Sequence, residues 1–126
     1  LRVNKAVIEK IKPGVVYKEL NAWATDLIAE ECIKLGIIKE KKDVSKYYWH
    51  SIGHNLGLDT HDVEPQGRNF VFEEGMVFTV EPGIYISEES IGIRIEDDVL
   101  VTADGCEVLT KGMMKEVSEI EAFMKR

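Results

Sequence analysis

The hydrophobic period of this chain changes at Trp49, and that change fixes the order in which its main layers are built. Before it, apolar residues recur every three or four positions: Val3, Ala6, Val7 and Ile11, then Leu20, Trp23, Ala24, Leu27 and Ile28. Side chains at that spacing share one face of an α-helix. Residues 1–12 read as a helix tail stopped by Pro13-Gly14, and Tyr17 to Leu35 as a second helix with Gly36 placed as its cap. Residues 37–48 are a polar, Lys-rich connection. After Trp49 no helical period is sustained. Strand patterns appear at Met76–Val80, Ile84–Ile86, Gly92–Thr102 and Glu107–Leu109, with a hairpin-type turn at Ala103-Asp104-Gly105. Ser118 to Arg126 reads as a short terminal helix with Ile120, Phe123 and Met124 turned inward. Helices followed by antiparallel strands predict an α+β fold.

A chain of 126 residues is one domain's length, long enough to bury a core without staples. The net charge of −7 and the absence of an unbroken basic stretch argue against nucleic acid as a partner. The densest basic segment, Lys39 to Lys46, is interrupted by Glu40 and Asp43. No apolar run approaches the ~20 residues of a membrane span, so no membrane partner is expected. Two cysteines, Cys32 and Cys106, are too few for a disulfide scaffold, and two free thiols imply a reducing, cytoplasmic setting. The chain opens Leu1-Arg2-Val3-Asn4, with neither an initiator Met nor a helix cap, and reads as cut from something longer.

Three features carry chemistry. All three histidines, His50, His54 and His61, fall within twelve residues of a Gly-rich segment. That clustering suits metal ligation or acid/base work, although such histidines also cap strand ends with ordinary hydrogen bonds, and spacing alone leaves both readings open. Glu81 closes the apolar run Phe78-Thr79-Val80, where an uncompensated carboxylate is costly to bury. Ile93 to Val99 alternates, so that a strand puts Arg94, Glu96 and Asp98 on one face and Ile93, Ile95 and Asp97 on the other, with the isoleucines in the core. One imidazole and two carboxylates, His54, Glu81 and Glu96, form a donor set for Mn²⁺, Co²⁺ or Zn²⁺, and two converging glutamates repel unless a cation or proton lies between them.

The stretches His50-Ser-Ile-Gly-His54-Asn-Leu-Gly-Leu-Asp59-Thr-His61-Asp62, Glu74-Gly-Met-Val-Phe-Thr-Val-Glu81-Pro-Gly-Ile-Tyr and Gly92-Ile-Arg94-Ile-Glu96-Asp97 resemble the creatinase/aminopeptidase P/prolidase group of the pita-bread metallopeptidase superfamily, in order and in separation. The resemblance spans nearly the whole chain. It implies a pita-bread fold with an antiparallel sheet covered by helices, of which residues 1–126 are one domain, the C-terminal portion of a metallopeptidase catalytic domain. It implies two divalent metal ions, with Mn²⁺ the expected metal, that acidify a bridging water and polarise the scissile carbonyl.

Position by position, the resemblance implies that His54, Glu81 and Glu96 are metal ligands and so converge in space. Glu96 would bridge both ions, and Glu81 would also act as an acid/base partner. His50 and His61 would contact substrate and leaving group or shuttle protons, and Arg94 would lie beside the site. The group also has two aspartate ligands about eleven residues apart, upstream of the histidine. Here the aspartates stand at 26, 43, 59, 62, 97, 98 and 104, and no pair has that spacing. Three of five ligands therefore remain, and a chain with only these is expected to be inactive alone. Leu-Gly-Leu-Asp-x-His-Asp at 56–62 resembles aminopeptidase P and prolidase more than methionine aminopeptidase. The 27 residues from His54 to Glu81 leave no room for a large insertion, which favours Xaa-Pro aminopeptidase activity on proline-containing peptides over Xaa-Pro dipeptidase (prolidase) activity. A non-catalytic pita-bread binding module is the alternative from another class, and a second copy pairing along the exposed sheet edge is a partner the sequence allows.

Overall fold

The computed structural model describes residues 1–63 and 67–125. Two helices, α1 (Arg2–Ile8) and α2 (Tyr17–Lys34), precede the sheet region. A 3₁₀ segment at Lys41–Lys46 follows, then six short strands: β1 (Asn55–Leu56), β2 (Val77–Val80), β3 (Gly83–Ile86), β4 (Ile91–Arg94), β5 (Asp97–Val101) and β6 (Cys106–Val108). The chain closes on α3 (Val117–Met124). The expected α+β order holds, with every strand pair antiparallel. Helix α2 ends in a Schellman motif: Ile37 N–H reaches the Cys32 carbonyl at 2.9 Å, Gly36 N–H reaches that of Ile33 at 3.0 Å, and Gly36 takes φ +74°. Helix α1 is shorter than the expected 1–12, because Lys10 and Ile11 turn back onto the carbonyls of Val7 and Ile8.

The core lies between the two helices and the four-stranded sheet β1-β2-β5-β6. Val7, Ala24 and Ile28 from the helices meet Phe78, Val80, Val99 and Val101 from the strands, all at most 2% exposed. An aromatic cluster closes one end. Tyr17 stacks on Phe70 at 4.7 Å, and Phe72 meets Phe78 edge-on at 5.0 Å.

The alternation over Gly92–Thr102 predicts one strand, but the structure contains two, β4 and β5, parted at Ile95-Glu96. Pro82 explains the break. Ile95 N–H donates to the Pro82 carbonyl at 3.2 Å, and proline has no N–H to return, so the ladder loses its reciprocal bond there. The sheet divides at that point, and β3-β4 forms a separate two-stranded sheet. The register does not slip across the division. Thr79↔Asp98 and Val80↔Asp97 continue as Gly83↔Arg94 and Ile84↔Ile93.

Two expectations about burial are corrected. Ile93 is 62% exposed and Ile95 half-buried, not in the core, since β4 is an edge strand with no layer over it among the described residues. Both isoleucines line an open apolar groove together with Ile84, Ile86, Ile28 and Leu35. Likewise Ile120, Phe123 and Met124 of α3 are 44–75% exposed, not inward, because α3 lies beyond the sheet and none of its residues is buried. Cys32 is buried and Cys106 half-buried, both as free thiols whose pKa is raised by burial. Among the described residues no helix is long and apolar enough to cross a membrane.

Gly53 is where the sheet and the histidine segment come closest. A Cβ there would stand 1.8 Å from the Thr79 carbonyl oxygen and 2.7 Å from the Phe78 ring. Gly53→Ala must push the two backbones apart, a cost of about 3 kcal/mol for overpacking against a fixed main chain. Urea denaturation should show a midpoint lowered by about 1 M or more.

Candidate active site

Strand β2 is the scaffold of the site. On one side it pairs with β1 (Asn55↔Phe78, Leu56↔Val77), and the same register runs back into the histidine segment. Thr79 N–H donates to the His54 carbonyl at 2.9 Å, and Glu81 N–H to that of Ile52 at 2.8 Å. On the other side β2 pairs with β5, and continuing that register sets Glu81 opposite Glu96. His54, Glu81 and Glu96, far apart in sequence, are thus placed on three adjacent backbone segments.

Their side chains converge only in part. His54 Nε2 lies 3.4 Å from Glu81 Oε1. The His54 ring is oriented by Nδ1, which donates to the Asn55 carbonyl at 3.0 Å and turns Nε2 toward Glu81. An imidazole lone pair and a carboxylate oxygen facing each other repel unless something positive lies between them, and a divalent cation takes both as ligands. Glu81 is 8% exposed. Its Oε1 also accepts from the Thr79 hydroxyl at 3.2 Å, and its Oε2 accepts from an Arg94 guanidinium nitrogen at 3.2 Å. Glu96 is exposed and lies outside the residues that line the cavity around His54. Among the described residues, no three His, Cys, Asp or Glu side chains gather closely enough to hold an ion.

The cavity has a volume of about 540 Å³ and opens to solvent. His50, His54, His61, Glu81 and Arg94 line it, so five of the six residues singled out in the sequence share one surface. His61 packs its ring at 4.2 Å from that of His54. His50 donates from Nδ1 to the Ser51 carbonyl at 2.8 Å and accepts at Nε2 from the Tyr85 hydroxyl at 2.8 Å. Arg94 Nε in turn donates to that hydroxyl at 2.9 Å. The hydrogen bond to Tyr85 first, and the nearby Glu81 carboxylate after it, raise the Arg94 pKa above its already high ordinary value. Tyr48 packs edge-on against His50 at 4.9 Å, and burial raises its phenol pKa, keeping it neutral.

Tyr85 was not legible as a functional residue from the sequence, yet it joins His50 to Arg94. Its ring lies along the β3-β4 face, held there by two glycines. A Cβ on Gly83 would come within 2.6 Å of the Tyr85 hydroxyl oxygen, and one on Gly92 within 3.2 Å of its ring. An aromatic residue bracketed by glycines on paired strands is the signal that could have found it. Trp49 stacks on the ring at 5.2 Å. Thr79 and Tyr17 are further residues of the site that the motif reading passed over; Tyr17 lines the cavity together with Asp62, the last residue of the histidine motif, and the Tyr17 hydroxyl donates to the Gly53 carbonyl at 3.0 Å.

Known proteins resemble this chain over nearly all of its length. It is 41% identical over 132 residues to the mitochondrial intermediate cleaving peptidase 55 of Arabidopsis thaliana, covering 98% of this chain and 27% of that protein. It is 39% identical to the Xaa-Pro aminopeptidase of Haemophilus influenzae, again over 98% of this chain and over 33% of the relative. The structure of a candidate aminopeptidase P from Bacillus anthracis superposes with a TM-score of 0.94 at 54% identity, covering 98% of this chain and 29% of that one. The chain therefore spans a third or less of the length of these relatives. The model of metallopeptidase family M24 matches residues 1–103, which include α1, α2, the histidine cluster and Glu81, Arg94 and Glu96, and the chain belongs to that family.

Proposed function

We propose that this chain is the C-terminal part of a dinuclear, metal-dependent exopeptidase of the Xaa-Pro aminopeptidase type, hydrolysing the peptide bond before proline. The observation that carries this reading is the approach of His54 Nε2 to Glu81 Oε1 at 3.4 Å inside a cavity lined by two more histidines and an arginine. The Xaa-Pro aminopeptidase name among the relatives supports the substrate class. Two divalent ions, Mn²⁺ on this reading and Co²⁺ or Zn²⁺ by the same donor chemistry, would acidify the attacking water and polarise the scissile carbonyl.

The residues of this chain have the following roles. His54 and Glu81 would serve as ligands from adjacent backbone segments, and Glu96, opposite Glu81 in register, would supply a further carboxylate if it turned in from the rim. Arg94 holds the far oxygen of Glu81, which leaves the near oxygen for the ion and for proton transfer. His50, fixed through Nδ1 and Tyr85, presents its ring edge to the cavity. His61, beside His54, is placed to meet the substrate or leaving group. The two free thiols support a reducing, cytoplasmic setting. A second reading, a pita-bread module that binds a peptide without cleaving it, draws on the exposure of Glu96.

An activity assay separates these readings. With Mn²⁺ or Co²⁺ and a Xaa-Pro peptide, the 126-residue chain should turn over poorly or not at all, since the residues it contributes cannot by themselves ligate two ions. A form extended upstream to supply the aspartates should be active. Equal turnover by both would mean that an acid already present, such as Asp59 or Asp62, completes the site. Inactivity of the extended form would favour the binding module.

In the active form, Tyr85→Phe should lower kcat/KM about tenfold. It removes one hydrogen bond to a charged partner, worth roughly 1.4 kcal/mol, and frees both His50 and Arg94. Steady-state kinetics beside an unchanged circular dichroism spectrum would check this.

A further inference from the structure

Behind the two glutamates, on the side away from the cavity, lies a second set of polar contacts that the proposed chemistry does not use. Val80 and Asp97 form the last registered pair of β2 and β5 before those strands run on into Glu81 and Glu96. Both members are fixed by side chains from elsewhere. Asn4 of α1, fully buried, donates its amide to the Val80 carbonyl at 3.1 Å. Asp97 has no exposed surface, and its Oδ1 accepts from the Thr110 hydroxyl at 2.6 Å and from the Lys115 ammonium.

The segment that follows β6 supplies these donors and is itself tied down. Leu109 N–H donates to the Asp98 carbonyl at 2.8 Å, Asp98 N–H donates to the Thr110 hydroxyl at 3.1 Å, and Glu116 pairs with Lys5 of α1. Residues 109–116 thus form a strap that leaves the sheet, crosses the start of β5 and returns to the first helix. A fully buried carboxylate is an expensive way to fill a core position, and apolar side chains of similar volume do so at least as well. What a buried ion pair adds is a fixed place for its backbone, because Oδ1 must meet two donors at once.

We propose that Asn4, Thr110 and Lys115 are positioning residues for the metal site: none of them lines the cavity, and together they hold the Val80–Asp97 pair so that the next residue on one strand, Glu81, and the preceding one on the other, Glu96, sit at a fixed separation. This rests on the reading of Glu81 and Glu96 as metal ligands. Partners hydrogen-bonded directly to a metal ligand typically account for about 10- to 100-fold in affinity, and these three act one residue removed from the ligands, so the lower end of that range applies.

The test is Mn²⁺ titration followed by the electron paramagnetic resonance signal of the free ion, on wild-type protein and on E96Q, K115M and K115R, with circular dichroism as the check on folding. Lys115→Met should weaken Mn²⁺ binding roughly tenfold while the protein stays folded, and Lys115→Arg should bring affinity back to within about twofold of wild type. A merely structural role for Lys115 would lower the melting temperature of K115M and leave the affinity of the folded fraction untouched. If K115M does not fold, T110V removes the other donor to Asp97 and should weaken binding at least threefold. E96Q tells the two possible failures apart. Weakened binding in E96Q with wild-type affinity in folded K115M, or in T110V, overturns the positioning role alone. Wild-type affinity in E96Q overturns the ligand reading, and the positioning role with it.

Discussion

Everything at the site depends on one strand, β2, being shared without a register slip between two neighbours. From Leu56 back to Ile52 the histidine segment runs beside it on one side, and β5 runs beside it on the other. A slip of one residue on either side would turn His54 or Glu96 to the opposite face. Two glycines make this pairing close. Gly53 lets the histidine segment lie against Thr79 with no room for a side chain, and Gly83 lets Tyr85 lie back along the face beside Arg94. Pro82 then parts the sheet just beyond the carboxylates, and Pro82 and Ile95 line the apolar groove rather than the cavity.

The electrostatics follow from that geometry. Glu81 is nearly buried and has Arg94 on one oxygen and Thr79 on the other. An arginine alone would make Glu81 an ordinary half of an ion pair. His54 Nε2 faces the same carboxylate, so a positive charge, either a proton or a metal cation, belongs between the two atoms. On the proposed reading that charge is a divalent cation. Arg94 then keeps the carboxylate oriented, and Tyr85 extends the same network to His50, so that the protein fixes the first histidine of the cluster through the residue that fixes its glutamate.

How much of this was legible in the sequence varied with the physical source of the signal. Helix α2 was readable nearly to the residue, because its apolar stripe and Gly36 obey local rules. The convergence of the three histidines with Glu81 and Arg94 was readable because the motifs carry it. Burial on β4 and α3 was misread. Ile93, Ile120 and Phe123 have the pattern of core residues, but pattern reports which face is apolar and not whether a layer is present to cover it. The break at Ile95-Glu96 was hidden because its cause, Pro82, stands on the partner strand, where a pass along β4 and β5 does not meet it. Tyr85 and Lys115 were invisible for a related reason. Each matters through contacts with residues far away in sequence, and neither motif nor period records a partner.

Whether the gap between His54 and Glu81 is a cation site can be seen in crystals of the protein grown with Mn²⁺ and measured near the manganese absorption edge. A cation there gives an anomalous peak about 2.0–2.2 Å from both His54 Nε2 and Glu81 Oε1, with the Glu96 carboxylate turned inward to meet it. A map with no peak there, in which His54 and Glu81 share a proton and Glu96 stays at the surface, would contradict the cation site.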